Sequence, residues 1–389
     1  MTSRERLQMV MQGEIADCVP VSPDFSNMIP AKRTGKPFWD LYLYNDPPCW
    51  EAYIECAQHF DIDALMDGYF PLTFPEEAAA QPERETFIVY RDEERIVTQD
   101  SHLEDGDRVW DERVTVYYVA DPPSEHVKPE SINLPLVPES WEPLENVKPV
   151  DLGPSGMARL KERLGDQGLI GVWLTKSAVL TCEDDIYDYY DHPEKYTEIA
   201  KQRVIDVEKR FERIMAMDVL PDFLCVGASG TLIFQSVDIF REISLPAVKR
   251  GIELAHAAGI PTHIHSCGPE AELVKIMAEE TDLTVIDPLE IPPMGNCNLA
   301  ELKKLYGDKI ILKGNLHTTE IMLRGSVEDV IAASKKAIDD AGAGGRFILS
   351  TGDQCGRDTP DENLHAMVEV ARTYGRYRED GTVMKDAKS

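Results

Sequence analysis

The sequence predicts an α/β protein, a (β/α)₈ TIM barrel that forms one domain over residues 1–389. Short apolar runs rich in β-forming residues alternate with longer segments of helical periodicity, which is the pattern of repeated βα units. There are eight such runs, the number that closes this barrel. A chain of 389 residues also fits a single α/β barrel. An open doubly wound sheet is the alternative, and the count of eight favours the barrel.

The predicted strands are short, apolar and bounded by turn-forming residues. In chain order they are Cys18–Asp24, Ile62–Asp67, Gly168–Leu174, Pro221–Gly227, Pro261–His265, Leu283–Asp287, Lys309–Gly314 and Arg346–Ser350. Helical periodicity follows them, and Ser326 and Pro269 are residues typical of a helix start. The predicted helices include Asp238–Ala258, Pro269–Glu280, Leu299–Tyr306, Val327–Ala341 and Asp361–Arg372.

An insertion over residues 82–149, rich in proline and charge, interrupts this alternation after the second strand. Thr86–Thr98 and Arg108–Val119 each alternate as a strand does, and Asp105-Gly106 between them is a typical hairpin turn. A proline-rich arm over Asp121–Pro149 follows. We expect the insertion to act as a lid or as a contact between subunits, for example in a homodimer.

Composition excludes several classes of function. The net charge of −30 argues against binding to nucleic acid or to an anionic membrane surface, because both require clustered Lys and Arg. No apolar run approaches the roughly 18 residues of a membrane span, and the first residues lack an apolar targeting segment. Eight cysteines without a CxxC pair indicate a reducing compartment. We therefore predict a cytoplasmic protein.

The most informative local pattern is His265 and Cys267, which lie two residues apart at the end of the fifth predicted strand. Residues at this spacing point to the same side of a strand, so both side chains can reach one ion. An imidazole nitrogen and a thiolate sulfur suit zinc better than magnesium or calcium. Gly268 then allows the chain to turn away.

The next strands bring more metal-binding residue types to the same rim, where the active sites of such barrels lie. Glu290 follows the sixth strand, Asn315 and His317 the seventh, and Asp353 and Cys355 the eighth. This convergence is stronger evidence for a metal site than the first pair alone.

The predicted centre is zinc bound by His265, Cys267 and Cys355, with Glu290 in a fourth position from which substrate displaces it. Three protein ligands and one exchangeable position are the catalytic arrangement of zinc. The side chains expected to orient these ligands are Asp353, Asn315 and His317.

Several segments together resemble the uroporphyrinogen decarboxylase superfamily. They are His265-Ser266-Cys267-Gly268 with the distant Cys355, Arg4-Glu5-Arg6, Gly314-Asn315-Leu316 and the helix start Thr359-Pro360-Asp361-Glu362-Asn363. The pattern is most similar to the zinc-dependent, corrinoid-linked methyltransferase branch. The resemblance covers nearly the whole chain outside the insertion and implies a (β/α)₈ barrel.

The resemblance also implies a reaction. A Zn²⁺ ion would polarise the oxygen of a small-molecule methyl donor, which we expect to be a methoxylated aromatic, and the methyl group would pass to cob(I)alamin. The cobalamin would be carried by a partner corrinoid protein, because this chain lacks an Asp-x-His-x-x-Gly motif. Asp67 and Tyr69, together with Glu290, Asn315 and His317, are expected to take part in the reaction. The side chains expected to bind the donor and the cobalamin are Phe25, Met28, Trp173 and Asp353.

Alternative functions remain open at this point. The same site could methylate a thiol or tetrahydrofolate from a methylcorrinoid. A uroporphyrinogen-type decarboxylase is less favoured, because Ser22–Met28 lacks the arginines that hold that substrate and Asp353–Gly356 replaces a Gly-His-Gly segment. Asp67, however, matches an aspartate of the decarboxylases. Two thiolate ligands make zinc a weaker Lewis acid, which disfavours a hydrolase, and a non-catalytic carrier subunit is the remaining class.

Overall fold

A curled, seven-stranded parallel sheet forms the centre of the fold in a computed structural model that describes residues 1–79, 84–227 and 229–384. In spatial order its strands are β1 (Ala64–Met66), β7 (Gly168–Trp173), β8 (Phe223–Gly227), β9 (Thr262–His265), β10 (Val285–Asp287), β11 (Ile311–Leu316) and β12 (Phe347–Thr351). Nearly all of their residues are buried, as expected where helices cover the outside of a parallel sheet. The predicted α/β barrel class is confirmed.

The segment predicted as the first strand, Cys18–Asp24, is not a regular strand. It lies at the eighth position all the same, because Leu349 N–H donates to Pro20 O at 2.8 Å and Asp63 N–H donates to Val21 O at 2.8 Å. Pro20 has no N–H to give to a ladder, and the Val21 N–H is taken by the Asp63 carboxylate. The segment therefore joins the two ends of the sheet through one isolated bridge, between Val21 and Leu349 of β12, and through the hydrogen bond from Asp63 just before β1.

Helices follow the strands as predicted. Those before β8 are α1 (Ser3–Met11), α2 (Met28–Arg33), α3 (Phe38–Tyr42), α4 (Cys49–Phe60), α5 (Pro75–Ala79), α6 (Pro154–Leu164), α7 (Glu183–Asp191) and α8 (Pro193–Met215). Those after β8 are α9 (Val237–Ile239), α10 (Leu245–Ala257), α11 (Ala271–Glu280), α12 (Leu299–Tyr306), α13 (Val327–Ala341) and α14 (Asp361–Thr373). Single π-helical stretches cover Phe240–Ser244 and Thr318–Leu323. None of the helices described here has the length and apolar character needed to cross a membrane.

Residues 85–143 form a second, antiparallel sheet outside the barrel. It contains β2 (Glu85–Arg91), β3 (Arg95–Glu104), β4 (Asp107–Tyr118), β5 (Ser124–Val127) and β6 (Glu142–Pro143), in the order β5–β4–β3–β2–β6. Residues 82 and 83 of the predicted insertion lie outside the described residues.

Reading Thr86–Thr98 as one strand was wrong, because a turn divides it. The Asp92 carboxylate accepts hydrogen bonds from Glu94 N–H at 2.9 Å and Arg95 N–H at 2.8 Å, which stabilises the turn. The predicted hairpin turn is present, and both of its residues, Asp105 (φ 52°) and Gly106 (φ 93°), have left-handed backbone conformations.

A buried aspartate joins both ends of the chain to the start of the barrel. Asp63, fully buried just before β1, accepts hydrogen bonds from Arg6 of α1 at 2.6 Å and from Arg372 of α14 at 2.8 Å. Arg6 is itself 5% exposed, so these charges depend on one another for compensation.

Replacing this aspartate should be costly. We expect Asp63→Ala to lower the free energy of unfolding by about 3–5 kcal/mol, because it leaves two arginines without their buried partner. Urea denaturation followed by circular dichroism measures the change. Asp358→Ala is the control, since the ion pairs of Asp358 with Lys32 and Arg357 are exposed and their loss should cost less than about 1 kcal/mol. Equal losses of unfolding free energy in the two variants would contradict the assignment of Asp63 as the buried partner of Arg6 and Arg372.

Candidate metal centre

His265 is the residue on which the site is built. It ends β9, and its Nδ1 lies 3.1 Å from Asp287 Oδ1 on the neighbouring strand β10. Its other nitrogen, Nε2, lies 3.6 Å from Asp353 Oδ1. Burial alone would lower the pKa of His265, but the Asp287 carboxylate reverses this effect and raises the pKa well above its usual range.

Cys267 and Glu290 meet beside this imidazole. The Cys267 thiol is partly buried and hydrogen-bonds with His265. Gly268, in the left-handed region at φ 104°, donates its N–H to Glu290 Oε2 at 2.6 Å. Gly295 approaches so closely that a Cβ there would lie 2.3 Å from Glu290 O, so a side chain is excluded. Burial raises the pKa of Glu290.

Asp353 belongs to two groups of closely spaced atoms that could bind a metal. One of its carboxylate oxygens, Cys267 Sγ and a Glu290 oxygen all lie within 4.8 Å of one another, and a second such group contains Asp24, His265 and Asp353. Asp353 has φ 134°, a backbone conformation that residues with a side chain rarely adopt. Strain of this kind is concentrated at functional sites.

Cys355 lies deeper than the other predicted ligands. It is fully buried, and burial raises the pKa of its thiol to about 12. Its backbone N–H donates to Asp24 O at 2.8 Å, which fixes the loop after β12 against the first segment of the chain. Among the described residues, the groups of close metal-binding atoms do not include Cys355. Its role as a zinc ligand therefore stays a prediction.

Asp67 and Tyr69 follow β1 and lie in the part of the site that contains Asp287 and Asp24. Asp67 forms a close group with His265 and Asp287. The Tyr69 hydroxyl donates to Ser26 O at 3.0 Å and lies 3.4 Å from Asp24 Oδ1. Asp24 was not among the predicted site residues, and burial raises its pKa to about 6.

The structure gives Asn315, His317 and Phe25 other contacts than those predicted. Asn315 Nδ2 donates to Leu289 O at 3.0 Å and so holds the loop that carries Glu290. His317 Nδ1 accepts the N–H groups of Thr319 and Glu320 at 3.2 Å, which makes it a helix cap. Phe25 is fully buried and packs against Phe60 with ring centroids 5.3 Å apart, so it belongs to the core.

A cavity of about 690 Å³ opens directly over His265. The predicted residues Met28, Trp173, Tyr69 and Asp67 line it. Its other described lining residues include Asp24, Ser26, Asn27, Tyr42, Cys49, Lys176, Ser229 and Gln354. Apart from His265, exposed Lys176 is the one basic side chain among them. The cavity thus combines aromatic walls with a floor that carries the carboxylates of Asp24 and Asp67.

Sequence reasoning missed the buried charges below this floor. Asp287 Oδ1 also lies 3.0 Å from His263 Nε2, and Asp287 Oδ2 accepts a hydrogen bond from Lys313 Nζ. Lys313 and Asp287 are 3% and 1% exposed. Burial alone would lower the pKa of Lys313, but the carboxylates of Asp287, Asp67 and Asp24 raise it, so the side chain is a charged ammonium. A lysine in the apolar run Ile-Ile-Leu-Lys-Gly (310–314) was the available sequence signal.

The donors present at the site fit zinc. His265 Nε2 is free of the Asp287 contact and faces Asp353, while Cys267 offers a soft sulfur and Glu290 and Asp353 offer oxygens. A mixed set of nitrogen, sulfur and oxygen donors is typical of zinc, whereas magnesium and calcium require oxygen ligands almost alone. His265, Cys267, Glu290 and Asp353 are therefore the residues whose donor atoms fit such an ion, and Cys355 stays a predicted ligand.

Residues 222–374 match the uroporphyrinogen decarboxylase (URO-D) family. The methylcobamide:CoM methyltransferase MtbA of Methanosarcina mazei is 30% identical over 139 residues, which are 35% of this chain and 37% of that protein. A uroporphyrinogen decarboxylase of Thioalkalivibrio sulfidiphilus is 26% identical over 162 residues, 39% of this chain and 44% of that protein. These matches span less than half the length of the relatives.

The fold has a counterpart among solved structures. A methyltransferase from Methanosarcina mazei aligns with 96% of this chain and 98% of its own, with a TM-score of 0.58 and 18% sequence identity. At this identity the similarity concerns the fold alone. The predicted resemblance to the superfamily is confirmed, and relatives named as methylcobamide methyltransferases fit its corrinoid-dependent branch. The matched segment contains His265, Cys267, Glu290 and Cys355, while Asp24 and Asp67 precede it.

Glu270, just after the Cys267-Gly268 turn, is a buried carboxyl that the sequence did not single out. It is 1% exposed, and its Oε1 accepts only a long hydrogen bond of 3.4 Å from Leu232 N–H. Burial raises its pKa to about 7, whereas an unfolded glutamate titrates near pH 4.5. The folded state therefore holds this proton more tightly than the unfolded state, and stability is lost as the pH rises from about 4.5 through 7.

Glu270→Gln should remove this pH dependence, because glutamine stays neutral. We expect the variant to exceed the wild type in free energy of unfolding by roughly 1–3 kcal/mol at pH 8, and by much less at pH 5. Urea denaturation of chelator-treated protein at the two pH values measures this. Glu272→Gln, an exposed change on the same helix, is the control. A Glu270→Gln effect that is the same at both pH values would contradict the buried, proton-binding carboxyl.

Proposed function

We propose, from the premise that residues 222–374 form a domain of the uroporphyrinogen decarboxylase family, that this protein is a zinc-dependent methyltransferase. It moves a methyl group from an O-methyl donor, a methoxylated aromatic, to the cob(I)alamin of a partner corrinoid protein. The observation that carries this proposal is that Asp353 forms one close group with Cys267 and Glu290 and another with Asp24 and His265, and that His265 lines an aromatic cavity.

The residues have separate tasks in this reaction. Zinc, when bound, would act as a Lewis acid on the ether oxygen of the donor. His265 and Cys267 would hold the ion, and Glu290 would be the ligand that the donor displaces. Its hydrogen bond from Gly268 N–H gives the released carboxylate a partner, so that its displacement does not leave a bare buried charge.

The shape and charge of the cavity support a neutral aromatic donor. Met28, Tyr42, Tyr69 and Trp173 provide flat apolar surface for a ring. Asp24 and Asp67 disfavour an anion near the floor. Asp24 with a pKa of about 6 is placed to accept a hydrogen bond from a hydroxyl group on the ring.

A second candidate is the transfer of methyl from a methylcorrinoid to a thiol. It is supported by the relatives, two of which are named methylcobamide:CoM methyltransferases. The same donor set would hold a thiolate, since zinc binding lowers a thiol pKa. The two carboxylates at the floor count against a negatively charged thiol substrate.

One assay separates these directions. We expect the zinc-loaded protein with corrinoid protein reduced to the Co(I) state to form methyl-Co(III) when a methoxyarene is added, as followed by visible absorption. A methylated thiol formed from methyl-Co(III), with no reaction of methoxyarenes or methanol, would overturn the proposed direction in favour of the second candidate.

A metal-binding test is independent of the donor. We expect Cys267→Ala to weaken zinc binding by more than roughly 100-fold, because loss of outer-shell partners alone costs about 10–100-fold. Competition with a chromophoric chelator measures the affinity. Cys182→Ala, which changes an exposed thiol outside the site, should bind zinc as the wild type does. Unchanged affinity in Cys267→Ala would contradict the assigned ligand.

A further inference from the structure

The central strands of the barrel carry a buried lysine for which the reaction above has no use. Lys313 lies on β11 with 3% of its surface exposed and does not line the cavity. Burying an ammonium costs several kcal/mol unless its charge is compensated. The compensation comes from Asp287 on the adjacent strand β10, whose Oδ2 accepts a hydrogen bond from Lys313 Nζ.

Strand register explains why these two side chains meet. Ile286 of β10 pairs with Leu312 of β11, so the next residues, Asp287 and Lys313, lie side by side. On its other side Asp287 pairs with His265 of β9. One row across three strands therefore reads His265, Asp287, Lys313.

Asp287 uses its two oxygens for different partners. Oδ2 faces Lys313, whereas Oδ1 lies 3.0 Å from His263 Nε2 and 3.1 Å from His265 Nδ1. Lys313 holds Oδ2 in place, so the carboxylate cannot rotate without losing the contacts of Oδ1 to both imidazoles. The ring of His265 is thus fixed with Nε2 toward Asp353 and the cavity.

We propose that Lys313 is a positioning residue that acts through Asp287 to fix the ring orientation and tautomer of His265, so that Nε2 faces the metal. This inference rests on the proposed function in one respect, the assignment of His265 as a ligand. The reason is geometric: carboxylates that hold the second nitrogen of a metal-bound histidine set its direction, and here the lysine sets the direction of the carboxylate. Lys313 touches neither the ion nor the substrate.

The alternative is that Lys313 and Asp287 form only a structural ion pair. Breaking such a pair by removing one partner destabilises the fold, whereas removing both charges restores stability. A set of variants therefore separates the two roles: Lys313→Met, Asp287→Asn and the double variant, together with Lys313→Gln as the smallest change that removes the charge. Lys161→Met is the control for a lysine–aspartate pair outside the site, since Lys161 lies 2.9 Å from Asp222 but is less buried than Lys313.

The measurements are thermal stability, zinc affinity by chelator competition, and the visible spectrum of the Co²⁺-substituted protein, which reports ligand geometry without any turnover. We expect the double variant and Lys313→Gln to fold, to bind zinc roughly 10–100-fold more weakly than the wild type, and to show an altered cobalt spectrum. Lys161→Met should match the wild type in zinc affinity and in spectrum.

Two outcomes would overturn this inference. One is a folded double variant or Lys313→Gln with wild-type zinc affinity and an unchanged cobalt spectrum. The other is failure of both variants to fold under conditions in which Lys161→Met folds, since the pair would then be structural. A wild-type protein that binds no zinc would instead refute the proposed function, and the two failures are thus distinguishable.

Discussion

The site depends on the hydrogen bonds that the carboxylate of Asp287 accepts. Asp287 is 1% exposed and accepts hydrogen bonds from three donors on two neighbouring strands, His263, His265 and Lys313. A buried carboxylate is tolerated only where such partners satisfy it. Three donors meeting at one carboxylate also fix the register of β9, β10 and β11. The candidate metal centre and the central strands of the barrel therefore depend on the same carboxylate.

The charged groups around Asp287 explain why the cavity favours a cation. Lys313 contributes one positive charge, while Asp24, Asp67 and Asp287 surround it with carboxylates. Such an excess favours a cation, and the mixed nitrogen, sulfur and oxygen donors at the rim are of the kind that zinc prefers. The carboxylates and the metal site are in this sense two parts of one electrostatic arrangement, because a bound cation would join Lys313 and His265 in offsetting the negative charge of the carboxylates.

Much of the fold followed from the sequence, since strands buried on both faces are short apolar runs that stand out from helical periodicity. Strand ends also brought His265, Cys267 and Glu290 to one rim, because parallel strands place their carboxyl ends together. Cys18–Asp24 failed as a regular strand because the Asp63 side chain, distant in sequence, takes the Val21 N–H. Such a long-range contact leaves no local pattern.

Side-chain direction was the other limit of prediction. His317 and Phe25 stand at the expected positions, yet one caps a helix and the other enters the core, and neither choice is encoded in strand periodicity. The role of Asp287 was hidden because a carboxylate at a strand end resembles any rim residue until its partners are known. Lys313 was recognisable only as an anomaly in an apolar run, and its meaning depended on the strand register.

Zinc K-edge X-ray absorption of the zinc-loaded protein tests the central claim most directly. The site described here predicts a mixed first shell, with at least one sulfur near 2.3 Å and nitrogen or oxygen donors at about 2.0–2.2 Å. The sulfur contribution should decrease in Cys267→Ala. A shell of oxygen and nitrogen alone in the wild type, or one unchanged by Cys267→Ala, would contradict the claim that the His265–Cys267 strand end holds the ion.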